Sequence, residues 1–149
     1  MANVIVHCKE CGTANRVDRA KLQGAVAHCS TCRRTLQVPG PQSSVLLVRD
    51  RTFNERVLAS TVPVFIYFCR ATCGYCRRFE PVVAGMLPEL APVMLVARVD
   101  LDADPGLGAR YHISGTPTSL VLEAGAVKDR IEGAVSADQL RYRLARYLR

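Results

Sequence analysis

The chain has 149 residues, 49% of them hydrophobic, with 20 Lys and Arg against 13 Asp and Glu, a formal charge of +7 and no tryptophan. That length suffices for one domain of roughly 100 residues and a small appendage. The longest apolar runs, Val62 to Cys69 and Ala91 to Ala97, fall far short of the roughly 20 residues that span a bilayer, so no membrane segment or membrane partner is expected. Met1 to Cys8 carries neither a basic leader nor an apolar stretch of secretory length, which makes the cytoplasm the expected location.

Seven cysteines in a reducing compartment point to metal binding and redox chemistry before structural disulfides. Six of them form three C-x-x-C pairs, Cys8/Cys11, Cys29/Cys32 and Cys73/Cys76, and Cys69 is left over. In the first 38 residues the spacing is C-x2-C-x17-C-x2-C, inside the range of zinc ribbons, with Gly12 directly after the first pair as a tight knuckle requires. So short a segment, with little beyond Val4, Val6, Val17, Leu22, Val26, Leu36 and Val38 to bury, needs a staple, and a tetrahedral Zn²⁺ on Cys8, Cys11, Cys29 and Cys32 supplies one. Four cysteine ligands close the coordination sphere, so the zinc is expected to be structural. His7 and His28 precede knuckle cysteines and are read as solvent-facing, with competition as ligands the other reading. Four thiolates on one Zn²⁺ contribute −4 and +2 and lower the charge from +7 to about +5. The remaining surplus is dispersed, so nucleic-acid binding is set aside in favour of solvated charged faces.

Residues 39–44, rich in proline, glycine and small polar side chains, read as a linker to a second domain at 45–149. There Val45 to Val48 is an expected strand, and Thr52-Phe53-Asn54-Glu55 has the form of a capping box opening a helix to about Ser60. Pro63 to Phe68 is a continuous apolar run, the mark of a strand covered on both faces. After Cys73-Gly74-Tyr75-Cys76, apolar positions Phe79, Val82, Val83, Met86, Leu87 and Leu90 recur at helical spacing, with Pro81 expected to kink the helix and Pro88 to kink or end it. Val93 to Val99 follows as a strand. Asp104-Pro105 then opens a short helix to about Tyr111, with Asp104 as N-cap and proline at the first helical position. Thr118 to Leu122 and Val127 to Glu132 pair as a hairpin about Ala124-Gly125. Ser136-Ala137-Asp138-Gln139 is a second capping box, opening a final helix with Leu140, Leu144, Tyr147 and Leu148 as its stripe. The order β-α-β-α-β-α-β-β-α predicts an α/β fold, a mixed central sheet with helices on both faces.

Cys73 stands where a strand runs into a helix, so unpaired N–H groups and the helix dipole favour its thiolate, and Cys76 lies one turn further in. Cys73 is thus the expected nucleophile and Cys76 the resolving thiol.

The Cys-Gly-Tyr-Cys pair, Pro81 five residues after it, Val99-Asp100-Leu101-Asp102, and Tyr111 through Gly115-Thr116-Pro117-Thr118 together resemble the thioredoxin family. Gly125 and Gly133 fit the same pattern. With the four-cysteine segment in front, the whole chain is similar to the zinc-binding second type of bacterial cytoplasmic thioredoxin. The resemblance implies a thioredoxin fold behind a zinc-ribbon-like module, and a protein-disulfide reductase, monomeric, with no organic cofactor. Its expected substrates are disulfide-containing proteins, and thioredoxin reductase or glutathione is the expected electron donor. It implies that Gly74, Tyr75, Thr116 and Pro117 contact substrate, with a cis peptide bond before Pro117.

The departures from the family are equally specific. Its buried aspartate falls on Tyr67, whose phenol, with a usual pKa near 10, is a poor base at neutral pH. Its partner lysine falls on Arg98, which holds its proton permanently. Cys-Gly-Tyr-Cys with Thr before the proline is similar to disulfide isomerases, and Tyr75 also resembles glutaredoxins, which favours a more oxidising or glutathione-coupled enzyme as the alternative. Arg70, Arg77 and Arg78 would push the same way if they faced Cys73, and each taken alone reads as a solvated surface charge. Cys69 reads as a buried apolar residue or as an auxiliary thiol. A third reading, of another class, makes the basic N-terminal segment (Lys9, Arg16, Arg19, Lys21, Arg33, Arg34) a redox- or zinc-responsive binding module.

Overall fold

The central strand, Val64–Cys69, has all six residues buried, and its period of two serves both faces of the sheet. The computed structural model describes residues 3–22, 25–40 and 42–148, so Pro41 of the expected linker lies outside the described residues, as do Met1, Ala2, Gln23, Gly24 and Arg149. Strands β1 (Asn3–His7) and β2 (Ala14–Asp18) pair antiparallel and are followed by a single helical turn, α1 (Arg19–Leu22). The larger part of the chain contributes β3 (Leu46–Val48), α2 (Asp50–Phe53) continuing into a π-type turn at Asn54–Leu58, β4 (Val64–Cys69) and α3 (Gly74–Leu90). It continues with β5 (Leu95–Asp100), α4 (Pro105–Arg110), β6 (Thr118–Glu123), β7 (Ala126–Glu132) and α5 (Ala137–Arg143). The element order is the expected one.

The five strands are arranged β3-β5-β4-β6-β7, with β3, β5 and β4 parallel and β6 and β7 antiparallel. Phe65, Tyr67 and Cys69 of β4 face one cluster, built with Phe79, Val83 and Leu90 of α3 and Leu140 of α5. Val64, Ile66 and Phe68 face the other, with Phe53, Val57 and Leu107. Each such side chain contributes roughly 1.5–3 kcal/mol by leaving water, so the two clusters fix β4 and α3 relative to each other. The junction between those two elements is where Cys73 lies. The β6–β7 turn is the expected one: Ala124 and Gly125 both have positive φ, +50° and +82°, the signature of a two-residue hairpin turn.

Three expectations need correction, and a fourth is narrowed. The helix after β3 begins at Asp50, two residues before the expected cap. Thr52 sits in its first turn, where its hydroxyl accepts the Arg49 N–H at 3.2 Å; its cap lies before it, in Arg49, whose position the Thr-x-x-Glu spacing obscured. Asp104 stands at the N-cap of α4 ahead of Pro105, as expected, but its carboxylate makes no cap hydrogen bond and pairs instead with the Arg49 guanidinium at 2.8 Å. An ion pair with a cation 55 residues away wins over a local cap. Of the two outcomes expected at Pro88, an end to α3 is excluded, since the helix continues to Leu90 with both prolines inside it. Pro81 and Pro88 lie on the exposed side, while Phe79, Val83, Met86, Leu87 and Leu90 on the buried side hold the helix together. The last helix ends at Arg143, and Leu144 and Tyr147 are buried from the turns beyond it.

The N-terminal segment packs against the sheet. The His7 N–H donates to the Thr61 carbonyl at 2.7 Å, and the Thr61 hydroxyl donates to Gln37 O at 2.6 Å. Arg19 reaches Pro92 O at 2.7 Å and also Pro39 O. Val62 and Leu95 join the apolar cluster of Val4, Val6, Val17 and Leu36. Within the expected linker the Gln42 amide spans both backbone groups of Val96, accepting from N at 2.8 Å and donating to O at 2.5 Å. It thereby docks part of the segment on the edge of β5.

Candidate active site and metal centre

Cys73 is the residue that caps α3: its backbone is extended, with φ −88° and ψ 114°, and its sulfur accepts the Cys76 N–H at 3.3 Å. The cap forms here because β4 ends at Cys69 and the helix leaves its first N–H groups without partners. Across the gap, the Thr116–Pro117 peptide bond is cis, and the Thr116 carbonyl lies 3.3 Å from the Cys73 sulfur. The Thr116 side-chain hydrogen bond is the largest influence on Cys73 and holds its thiol below the usual value. Burial opposes it, while the Cys76 thiol and the N–H groups of Cys76 and Tyr75 act with it. No arginine contributes appreciably: Arg70 points to Asp102 at 3.9 Å and Arg78 stacks on Tyr75. The expectation that arginines tune Cys73 gives way to hydrogen bonds.

Cys73 is half-buried, whereas Cys76 is 1% exposed. Tyr75, at 60% exposure, projects beside them, and Gly74 is open, with nothing near the place of a Cβ. Thr116 and Pro117 line, with Tyr75, a groove of about 830 Å³. The six residues expected at the site are therefore brought together.

Beneath them, Tyr67 is buried edge-on against Phe79, with ring centroids 5.6 Å apart. Burial pushes its phenol well above the usual range, with the Glu80 carboxylate adding to the effect. Tyr67 is thus no proton acceptor at neutral pH. Arg98, beside it in register, pairs with Glu80 at 3.4 Å. Glu80, one helical turn after Cys76, is a carboxylate that the sequence reading passed over; the i, i+4 spacing was its signal. Cys69 is fully buried beside Cys76, and desolvation together with that neighbour pushes its thiol far up. It is a small apolar residue of the core.

The other four cysteines form the second centre. Their sulfurs all lie within 4.8 Å of one another, with Cys8 and Cys32 at 3.6 Å and Cys11 and Cys29 at 3.5 Å. Tetrahedral Zn–S bonds of about 2.3 Å place sulfurs roughly 3.8 Å apart, so the cluster has the dimensions to hold zinc. Two knuckles set it up. Gly12 N–H donates to Cys8 O and Arg33 N–H to Cys29 O, at 2.9 and 3.0 Å, with Gly12 and Arg33 both at positive φ. Backbone N–H groups of Cys32 and Thr31, with the Asn15 amide, bring Cys29 down to about 6. The Arg34 N–H acts in the same sense on Cys32, but burial and the three other sulfurs outweigh it and push Cys32 up to about 11. Four crowded sulfurs cannot all ionise without a cation among them.

Neither histidine joins this cluster. His28 is exposed, with Nδ1 3.2 Å from Arg33 O. His7 is not solvent-facing as expected: its ring is 22% exposed, with Nε2 3.6 Å from Glu123 Oε1. Glu123, 6% exposed, accepts from Arg146 and from the Tyr147 hydroxyl, each at 3.0 Å. This buried carboxylate joins the N-terminal segment to the sheet, and nothing in its position at the end of a strand pattern announced it. In the basic N-terminal group, Arg19 holds backbone carbonyls and Arg34 pairs with Glu10 at 3.6 Å.

The fold and the paired cysteines define a class. The thioredoxin family profile matches residues 44–146. The chain is 33% identical to Thioredoxin 1 of Nostoc sp. over 106 residues, 71% of this chain and 99% of the relative. Thioredoxin of Acidithiobacillus ferridurans is 34% identical over 97 residues, 65% of this chain and 90% of the relative. Thioredoxin M4, chloroplastic, of Arabidopsis thaliana is 30% identical over 138 residues, 91% of this chain and 67% of the relative. The chain belongs to the thioredoxin family and is a thiol–disulfide oxidoreductase. No helix among the described residues is long and apolar enough to cross a membrane.

Proposed function

We propose that this oxidoreductase reduces protein disulfides with Cys73 as nucleophile and Cys76 as resolving thiol. The observation that carries the assignment is the difference between the two sulfurs: Cys73 is accessible and its thiol is held below the usual value by the Thr116 side chain and the α3 N-terminus, whereas Cys76 is sealed behind it. The Cys73 thiolate attacks one sulfur of the client disulfide, forming a mixed disulfide and expelling the other sulfur as a thiolate. Cys76, on losing its proton, attacks Cys73 Sγ and releases the second client thiolate. Two electrons pass to the client, and the Cys73–Cys76 disulfide is left for a donor, thioredoxin reductase or glutathione, to reduce. Gly74, Tyr75, Thr116 and Pro117 form the surface on which the client strand lies.

Residues 1–38 act as a structural module in which Cys8, Cys11, Cys29 and Cys32 hold Zn²⁺, residues 39–44 connect, and residues 45–149 carry the chemistry. On this reading the protein is of the zinc-binding second type of bacterial cytoplasmic thioredoxin, a monomer of the cytoplasm without an organic cofactor. One observation favours a more oxidising couple than an ordinary thioredoxin's: every hydrogen bond to the Cys73 thiolate stabilises the reduced form. The test of the assignment is turnover of a model protein disulfide. Cys73→Ser is expected to remove all exchange; retention of full activity would refute it. Metal analysis is expected to find one zinc per chain, lost in Cys11→Ser, and a metal-free native protein would remove the module from the proposal.

A further inference from the structure

The groove beside Cys73 carries an unneutralised charge. The Arg78 guanidinium lies over the exposed face of Tyr75, with Cζ 4.7 Å from the ring centroid. Both residues line the groove with Thr116, Pro117 and Gly133. Among the described residues Arg78 makes no ion pair, like Arg77 and Arg110 and unlike Arg98, Arg130, Arg141, Arg143 and Arg146, and it is Arg78 that lines the groove. The groove's acidic residue, Glu132, is taken by Arg130 at 3.1 Å. Local structure does not account for Arg78 either: in the second turn of α3 it lies far from the C-terminal end, where the helix dipole favours a cation. The Tyr75 ring favours it there, and no hydrogen bond among the described residues occupies the Arg78 N–H groups, which leaves them available to a client.

We infer that Arg78, positioned by Tyr75, selects polypeptide disulfides that carry a carboxylate a few residues from the cysteine under attack. This rests on Cys73 being the attacking thiol. A client strand crossing Thr116 and Pro117 advances about 3.3 Å per residue, so only a limited set of client positions brings an Asp or Glu side chain to Arg78. The contact is part-exposed, which sets its effect on kcat/KM at about three- to fivefold.

The experiment uses the full chain and a series of short disulfide peptides of one sequence, with a single Glu or Gln at each position from three before to three after the reacting cysteine. The Glu/Gln ratio of kcat/KM is expected to peak about three- to fivefold at one or two positions and to shrink towards one in high salt. Arg78→Gln should bring the peak ratio to about one, Arg78→Lys should keep part of it, and Arg78→Glu should invert it. A ratio equal at all positions, or unchanged in Arg78→Gln, would overturn the inference and attribute any preference to overall positive charge. Reduction of the Gln peptides without preference defeats the selectivity alone. Failure to reduce any peptide defeats the assignment of Cys73, and the selectivity with it.

Discussion

Replacing Thr116 by valine removes one hydroxyl while keeping the shape of the side chain and the backbone carbonyl. That side chain is the largest influence holding Cys73 below the usual thiol value, and the Cys76 N–H, 3.3 Å from the sulfur, remains in the variant. A hydrogen bond to a charged group is worth about 1.5–3 kcal/mol, and half-exposure to solvent reduces this to about 1 kcal/mol. With tenfold per 1.4 kcal/mol, the thiolate equilibrium of Cys73 falls about fivefold. The native thiolate persists to lower pH, so the variant's reactivity profile moves to higher pH. Well above both thiol values the two proteins react alike; below both, the rates fall in parallel with the native protein about fivefold faster. The assay is alkylation of the reduced protein by iodoacetamide at stepped pH, with Cys73 followed by mass spectrometry. The same loss lowers the reduction potential by about 20 mV, because it removes stabilisation from the reduced form alone. Coincident profiles, or a variant profile displaced to lower pH, would refute the role given to the hydroxyl.

Cys76→Ser is expected to accumulate mixed disulfides between Cys73 and its clients, visible on non-reducing gels and released by dithiothreitol. Failure to trap any client would remove Cys76 from the resolving role. Phe79→Ala empties a fully buried site on α3 against Tyr67 and should cost about 3–5 kcal/mol in urea unfolding. A loss under about 1 kcal/mol would mean that α3 is not held by this contact. Glu123→Ala removes the acceptor shared by Arg146 and Tyr147, which also faces His7 at 3.6 Å. It should cost about 2 kcal/mol, since Tyr147 loses a buried partner while the exposed Arg146 returns to water. It should also increase hydrogen exchange at β1, where an unchanged pattern would show that the N-terminal segment docks without it.

What was legible in the sequence was what local chemistry decides. The two knuckles need only C-x-x-C followed by a residue able to take positive φ, and Gly12 and Arg33 fill that place. The continuous apolar run of β4, the Ala124-Gly125 turn and the Ser136 capping box are equally local, and all stand as expected. The failures came where a distant partner decides. Asp104 looked like a helix cap and became the partner of Arg49, 55 residues away. Likewise His7 looked solvent-facing and found Glu123, and Gln42 looked like linker and docked on Val96. At the site itself the cysteines were evident from spacing. Arg78, read as a solvated charge, gained meaning only from the ring beneath it and from the absence of a described counter-ion.

The central claim is tested most directly by equilibrating the protein in glutathione buffers of graded ratio, quenching by alkylation, and mapping each cysteine by mass spectrometry. The account predicts a reversible two-electron transition confined to Cys73 and Cys76. Its midpoint should lie above the roughly −270 mV of thioredoxin and towards about −200 mV, with Cys69 reduced throughout. A protein in which Cys73 and Cys76 form no reversible disulfide would contradict it.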